Sequence, residues 1–121
     1  MSNLRDIGEV EAIRVWDGVT GRRIEGERIT LAVVELDPNA HVPEHRHPNE
    51  QVGIVLTGGG RFRIGDEQRD VRPGSTWRIV GNEPHEMWVG PEGAVVLDIF
   101  SPPRRDWDAL TAAEDREPRW P

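Results

Sequence analysis

The stretch of sequence that decides the fold reads His45-Arg46-His47-Pro48-Asn49-Glu50-Gln51. In an extended chain, side chains two residues apart share a face. His45, His47 and Gln51 therefore point the same way, and Glu50 points to the opposite face. Unless a bulge within the stretch shifts the register, the amide of Gln51 accompanies the two histidines and the carboxylate of Glu50 does not.

One further histidine completes a set of metal ligands. His85 follows a proline directly, so a rigid neighbour aims its side chain. Three imidazoles and an amide oxygen suit Zn, Ni, Mn, Fe(II) or Co. The pattern predicts one divalent transition metal on His45, His47, Gln51 and His85. The alternative is a pair of surface histidines ahead of a strand. His41, the fourth histidine, is expected in a loop or at a rim.

Outward from this stretch, the chain has the pattern of an all-β protein. Short apolar runs alternate with Gly, Pro, Asn and Asp turns at roughly eight- to twelve-residue intervals, as in sandwiches and barrels. The predicted strands are residues 11–16, 28–36, 51–56, 61–64, 68–71, 76–80, 85–89 and 94–100. Residues 17–26 are predicted to be a connection, the glycines at 58–60 to end a strand, and residues 90–93 to join two paired strands.

The length of 121 residues allows one domain, residues 1–121, with a core barrel over about residues 28–100. Residues 101–121 are expected to form a C-terminal tail, with prolines at positions 102 and 103. Within the tail, residues 104–115 are expected either to form a short helix or to lie irregularly along the barrel or a neighbouring subunit.

The composition excludes several classes of chemistry. The chain has no Cys and no Tyr, and all 15 of its basic residues are Arg. Thiolate nucleophiles, phenolic acids and lysine Schiff bases are therefore excluded. A net charge of −7 argues against nucleic-acid and anionic-membrane partners. With no membrane-length apolar run and no basic, apolar leader, the expected location is the cytoplasm.

Two motifs resemble those of the cupin superfamily. The first is His45-x-His47-x3-Gln51-x6-Gly58, and the second comprises Pro73-Gly74 and Asn82-Glu83-Pro84-His85. The resemblance runs over about residues 29–100. It implies an all-β, single-domain jelly-roll barrel with one metal ion. Gln51 stands where many cupins carry Glu, and Asn39 where the first motif often begins with Gly. A site without a carboxylate keeps the full metal charge, which favours Lewis-acid chemistry.

The last strand resembles a narrower group. Its sequence is Leu97-Asp98-Ile99-Phe100-Ser101-Pro102-Pro103-Arg104. It is similar to that of small cupins of pectin and alginate breakdown, which open the ring of unsaturated uronates to linear keto acids. The resemblance implies that Asp98 and Phe100 face the metal and that Arg104 binds a carboxylate. An Asp in an apolar strand is costly unless it is paired or working. The alternative is a purely structural pair of Asp98 with Arg104 or Arg105.

Other residues are candidates for contact with a substrate. Arg61 and Arg63 share a face, either as solvent-exposed partners of acids or as a positive wall of the pocket. Trp77 and Trp88 lie on predicted strands. Their indoles would pack in the core, form part of a dimer surface or stack on a ring-shaped substrate. The substrate-binding candidates are Phe100, Arg63 and Trp77.

Three functions fit these features. The first is a redox-neutral metalloenzyme on a small, oxygen-rich, anionic molecule such as an unsaturated uronate, with Asp98 as acid or base and Arg104 as anion holder. Its reaction would be ring opening, isomerisation, lyase or cyclase chemistry. The second is an Fe(II) dioxygenase, and the third a non-catalytic binder of a sugar or metabolite. Small cupins resemble one another in pairing through edge strands and terminal segments, which implies a homodimer.

Overall fold

The computed structural model describes residues 2–114 and 116–121. Nearly all regular structure is β, as predicted. The eight strands are β1 (Ala12–Trp16), β2 (Val19–Glu25), β3 (Thr30–Leu36), β4 (His41–His45), β5 (Glu50–Ile64), β6 (Glu67–Val71), β7 (Thr76–Ile79) and β8 (His85–Ser101). Two short 3₁₀ helices, Ile7–Glu9 and Arg105–Ala109, flank the strands.

The strands form one antiparallel sheet in the order β1-β2-β3-β8-β5-β6, and β4 pairs with β8 while β7 pairs with β5. The long strands β5 and β8 organise the fold because each exchanges partners along its length. The first half of β8 lies between β4 and β5, and its second half lies between β3 and β5. Side chains from these strands enclose the apolar core, in which Val55 and Ile79 are completely buried.

The prediction that residues 17–26 form a connection is wrong, because they contain β2. Asp17 and Gly18 make a two-residue turn, with Gly18 at a φ of 76°, and Trp16 pairs with Val19 across it. An Asp-Gly pair is a strong hairpin signal. The polar composition of β2 concealed it, since Arg22 is buried there beside the carboxylate of Glu35, at 3.5 Å.

The glycines at 58–60 do not end a strand, and residues 85–89 and 94–100 do not pair with each other. Both predictions are wrong because β5 and β8 are continuous and pair along their whole lengths. The register between them shifts twice near the glycines. A β-carbon at Gly58 would overlap the carbonyl of Gly93, so this crossing of the two strands requires glycine.

The C-terminal tail is mostly irregular and lies along the barrel. Arg105–Ala109 forms a 3₁₀ helix that buries Trp107 against Phe100. The chain then runs beside β1, where Thr111 accepts a hydrogen bond from the amide of Arg14. The predicted helix over residues 104–115 is thus reduced to its first turns, and Asp115 lies outside the described residues. No helix in the described part of the chain is long and apolar enough to cross a membrane.

Candidate metal centre

The three predicted histidine ligands lie at the meeting point of β4, β5 and β8. His45 ends β4 and His85 begins β8, and the two are direct cross-strand partners. His47 follows in the loop to β5 and is buried. One nitrogen from each imidazole lies within 4.8 Å of the others. The parity argument holds for Gln51, which is buried, whereas Glu50 is exposed to solvent.

Backbone carbonyls fix the orientation of all three imidazoles. Each ring places its Nδ1 at hydrogen-bonding distance from a carbonyl close to it in sequence. The pairs are His45 with Pro43 at 2.8 Å, His47 with Asn49 at 3.0 Å and His85 with Glu83 at 2.8 Å. A neutral imidazole that donates through Nδ1 keeps the lone pair of Nε2 free. This outer hydrogen bond is the usual support of a metal-binding histidine.

The free Nε2 atoms provide the test of whether a metal fits. His85 Nε2 is buried and has no hydrogen-bond partner. A buried polar atom without a partner costs about 1–3 kcal/mol. His47 Nε2 lies 3.1 Å from Gln51 Oε1. Gln51 donates its amide N–H to Asp98, and His47 directs Nδ1 at a carbonyl. The lone pairs of Gln51 Oε1 and His47 Nε2 therefore face one another. A shared cation resolves both observations, so the residues fit a divalent metal.

The protonation states of the imidazoles also fit a metal. The pKa values of His45 and His47 are lowered, chiefly because burial penalises the charged ring. At His85 burial is again the main cause and lowers the pKa to about 4. All three rings are therefore neutral near pH 7, and only neutral imidazole binds a metal.

Asp98 lies beside these ligands and is held by two hydrogen bonds. Its Oδ1 accepts one from Gln51 Nε2 at 2.9 Å and one from Trp77 Nε1 at 2.8 Å. Burial raises the pKa of Asp98 to about 6, and the two hydrogen bonds and the charge of Arg104 oppose the shift. A carboxyl group with a pKa this close to neutral can take up or release a proton.

The alternative of a structural ion pair at Asp98 is wrong. Arg104 directs its guanidinium at Asp106, with Nε to Oδ1 at 3.0 Å and Nη2 to Oδ2 at 2.9 Å. Arg105 is paired with Glu25 on the surface. Asp98 is thus held by neutral donors.

The hydrogen bond from Trp77 to Asp98 depends on a glycine that sequence reasoning missed. Gly53 on β5 pairs with Trp77 on one side and with Asp98 on the other. The three residues share one face, so the indole must cross over Gly53 to reach the carboxylate. A β-carbon at Gly53 would overlap both Asp98 Oδ1 and Trp77 Nε1. Its position midway along a strand, where glycine is unfavourable, is the sequence signal for such a close approach.

Replacing Gly53 by alanine should therefore destabilise the fold by about 1–3 kcal/mol, since it overpacks a rigid site. Chemical denaturation would measure the loss. Gly8→Ala is the matched control because a β-carbon at Gly8 meets no atom within 4 Å. Equal stabilities of the two variants would contradict this role of Gly53.

Arg104 also lies at the site, but with a partner that the sequence did not predict. Its guanidinium carbon lies 4.7 Å from the ring centres of Phe100 and Trp107, and the side chain is buried. The carboxylate of Asp106 accepts hydrogen bonds from its Nε and Nη2, as described above. The sequence signal for this pairing, which was missed, is that Asp106 follows Arg104 by two residues at the start of a helical turn.

Arg63 is not brought to the site. Its Nη2 lies 2.6 Å from Glu44 and 3.0 Å from Glu86, in an ion-pair cluster that borders the cavity through Glu86 but leaves Arg63 outside the lining. His41 joins this cluster through Glu86 and stacks on Trp88. The remaining predicted residues, Asp98, Phe100, Arg104, Trp77 and the ligands, come together.

A cavity of about 360 Å³ opens in front of the ligands. Its lining includes the predicted residues His45, Gln51, His85, Asp98 and Phe100. Trp77 and Arg104 also border it. The volume lies within the range of small-molecule sites.

Residues 32–100, more than half of the chain, match the family described as Cupin domain. The chain belongs to the cupin family. This cupin is 29% identical over 93 residues to the pectin degradation protein KdgF of Dickeya dadantii, which covers 75% of this chain and 84% of that one. The comparison confirms the resemblance to small pectin-degradation cupins.

Two solved structures extend the comparison. KdgF from a Halomonas species superposes with a TM-score of 0.78 at 22% identity, over 88% of this chain and 98% of that one, and supports the jelly-roll fold. The polyketide cyclase RemF from Streptomyces resistomycificus superposes with a TM-score of 0.72 at 26% identity, over 84% of this chain and 80% of that one.

Proposed function

We propose that this cupin is a metal-dependent, redox-neutral enzyme that acts on a small molecule with a carbonyl or hydroxyl group. The observation that carries the proposal is the His45, His47 and His85 cluster, in which one imidazole nitrogen of each ring lies within 4.8 Å of the others and the buried Nε2 of His85 has no partner. A carbonyl-polarising centre and an acid–base group in one cavity are the two parts that such chemistry needs.

The residues divide the work between them. His45, His47, His85 and Gln51 would hold one divalent ion of Zn, Ni, Mn, Fe or Co, which supplies Lewis-acid polarisation of an oxygen. Gln51 connects the ligands to the carboxylate, because its Oε1 faces His47 while its Nε2 donates to Asp98. Asp98 would move a proton at the carbon or oxygen next to the polarised group. Phe100 and Trp77 would flank the substrate.

The relatives support this class of reaction. One is named for pectin degradation and another is a polyketide cyclase. Ring opening of an unsaturated uronate and cyclisation of a polyketide-like chain both fit a polarised oxygen with a nearby acid–base group. A homodimer in the cytoplasm stays a prediction, and sedimentation equilibrium would test the pairing.

The test is turnover by protein loaded separately with zinc and with iron. The readouts are ring opening of an unsaturated uronate and solvent exchange of the methyl protons of 1-hydroxy-2-acetonaphthone, both followed by NMR. We expect turnover of at least one compound with zinc, without consumption of oxygen. Activity that requires iron and consumes oxygen would favour a dioxygenase, and binding without turnover under any metal would favour a non-catalytic module.

Replacing Gln51 by glutamate should slow the loss of metal to a chelator by about tenfold and lower turnover. A carboxylate binds a divalent cation more strongly than an amide but reduces its effective charge. The change also removes the N–H group with which Gln51 donates a hydrogen bond to Asp98. Metal release and turnover are measured beside Gln68→Glu, a matched change on the exposed face of β6. Unchanged metal release would show that Gln51 is not a ligand.

A further inference from the structure

The cavity has an apolar wall that the proposed chemistry does not use. This apolar wall consists of Val15, Val19, Val34, Leu36, Val96 and Leu110. Four of its members are neighbours in the sheet, because Val19 pairs with Leu36 and Val34 pairs with Val96. None of these side chains can accept or donate a hydrogen bond. The wall is therefore a continuous apolar surface facing into the site.

The polar side chains are gathered elsewhere on the cavity lining. His45, Gln51, His85 and Asp98 form one group at the candidate metal site. The other charged lining residues already have partners, since Arg104 pairs with Asp106, and Glu86 pairs with Arg63 and His41. A sugar acid carries hydroxyl groups around its whole ring. Those that face the apolar wall would be buried without partners, and each would weaken binding by about tenfold.

The arginine in the cavity is already neutralised. Among the described residues that line the cavity, Arg104 is the one with a cationic side chain other than histidine. Its Nε and Nη2 are both occupied by the carboxylate of Asp106. A ligand carboxylate would reach the remaining N–H groups of Arg104 beside the like charge of Asp106, which weakens its binding.

Aromatic side chains complete the lining. Trp16 lies with its ring centre 5.3 Å from that of His45, and Trp107 lies at the same distance edge-on to Phe100. Both tryptophans border the cavity. Aromatic faces and edges favour a ring-shaped ligand.

We infer that the substrate is a largely apolar ring compound with neighbouring carbonyl and hydroxyl oxygens at one end, and not a sugar acid. The inference rests on the proposed function for the end that carries the oxygens. The apolar wall would contact the rest of the ligand. It makes an unsaturated uronate, the substrate that the sequence suggested, the less favoured one.

Calorimetry with two compounds of similar size tests the inference. The probes are 1-hydroxy-2-acetonaphthone, which is apolar with two adjacent oxygens, and galacturonate. Binding is measured with zinc-loaded and with metal-free protein. We expect the naphthone to bind the zinc-loaded protein at least tenfold more tightly than galacturonate does. Equal or tighter binding of galacturonate, or no binding of the naphthone, would overturn the inference.

Two variants assign the preference to named residues. Leu110→Ser should weaken naphthone binding by about tenfold, since it removes a large apolar side chain from the wall. Leu4→Ser is the matched control because Leu4 is exposed and distant in the chain. Asp106→Asn should raise the affinity for galacturonate several-fold by freeing Arg104. Equal effects of the two serine variants would contradict the role of the wall.

The metal-free arm separates this inference from the proposed function. The apolar wall acts with or without metal. Metal-free protein should therefore still bind the naphthone, less tightly than zinc-loaded protein does, and Leu110→Ser should weaken this binding as well. If zinc adds nothing to naphthone binding, the proposed metal chemistry fails while the inference about the wall stands. If zinc strengthens binding of galacturonate alone, the metal chemistry stands and the inference fails.

Discussion

Replacing His85 by alanine should abolish both metal retention and turnover. His85 offers a buried Nε2 that has no partner in the protein, and its Nδ1 is held by a backbone carbonyl at 2.8 Å. Loss of groups that merely support a ligand costs about 10–100-fold in metal affinity. Loss of the ligand itself should exceed that, so we expect affinity to fall more than about 100-fold. Metal content after dialysis and titration with zinc would measure it.

His41→Ala is the matched control for this variant. His41 lies outside the triad, half exposed and paired with Glu86, so its loss should leave metal content and turnover near those of the natural chain. Circular dichroism would check that both variants fold. If the His85 variant retained about one metal per chain, the metal would bind elsewhere and the proposed function would lose its basis.

Replacing Asp98 by asparagine should keep the fold and the metal while lowering turnover by about 100- to 10,000-fold, the usual contribution of an acid–base group. The variant has nearly the same shape. Its amide oxygen can still accept the hydrogen bonds that Gln51 and Trp77 donate to Oδ1. It cannot take up a proton. Proton exchange and ring opening are measured on zinc-loaded protein with the metal content determined on the same sample.

Asp70→Asn provides the comparison for Asp98→Asn. Asp70 is exposed on β6 and should not affect turnover. A substantial rate in the Asp98 variant, with its metal retained, would assign the proton transfer to another group. Unchanged ligand affinity with no turnover in either the variant or the natural chain would indicate a binding module.

The grouping of His45, His47 and Gln51 could be predicted from the sequence because the period of an extended chain is local. His45, His47 and Gln51 lie within one short stretch, so their parity alone places them on one face. The placement of Asp98 and Phe100 on one face of β8 came from the resemblance to small cupins, and their spacing of two residues agrees with it. Parity cannot place His85, which lies on a distant strand; it joins the set as a third histidine at a strand position directly after a proline.

The missed features depend on contacts between distant segments or on local turn chemistry. β2 was hidden by polar residues, of which Arg22 is buried only because Glu35 on the next strand neutralises it. The exact pairing of β5 and β8 depends on glycines whose purpose appears only when the strands cross. The role of Gly53 follows from Trp77 and Asp98 lying on either side of it. None of these contacts produces a periodic pattern in the sequence.

Anomalous diffraction from a crystal of the zinc-loaded protein would locate the metal ion directly. We expect one peak per chain, at about 2.0–2.1 Å from the Nε2 atoms of His45, His47 and His85, the usual zinc–imidazole distance. Gln51 Oε1 should complete the protein ligands, with Asp98 outside the first coordination shell. A peak elsewhere, coordination through Nδ1, or no peak at full zinc loading would show that these residues do not form the metal site as proposed.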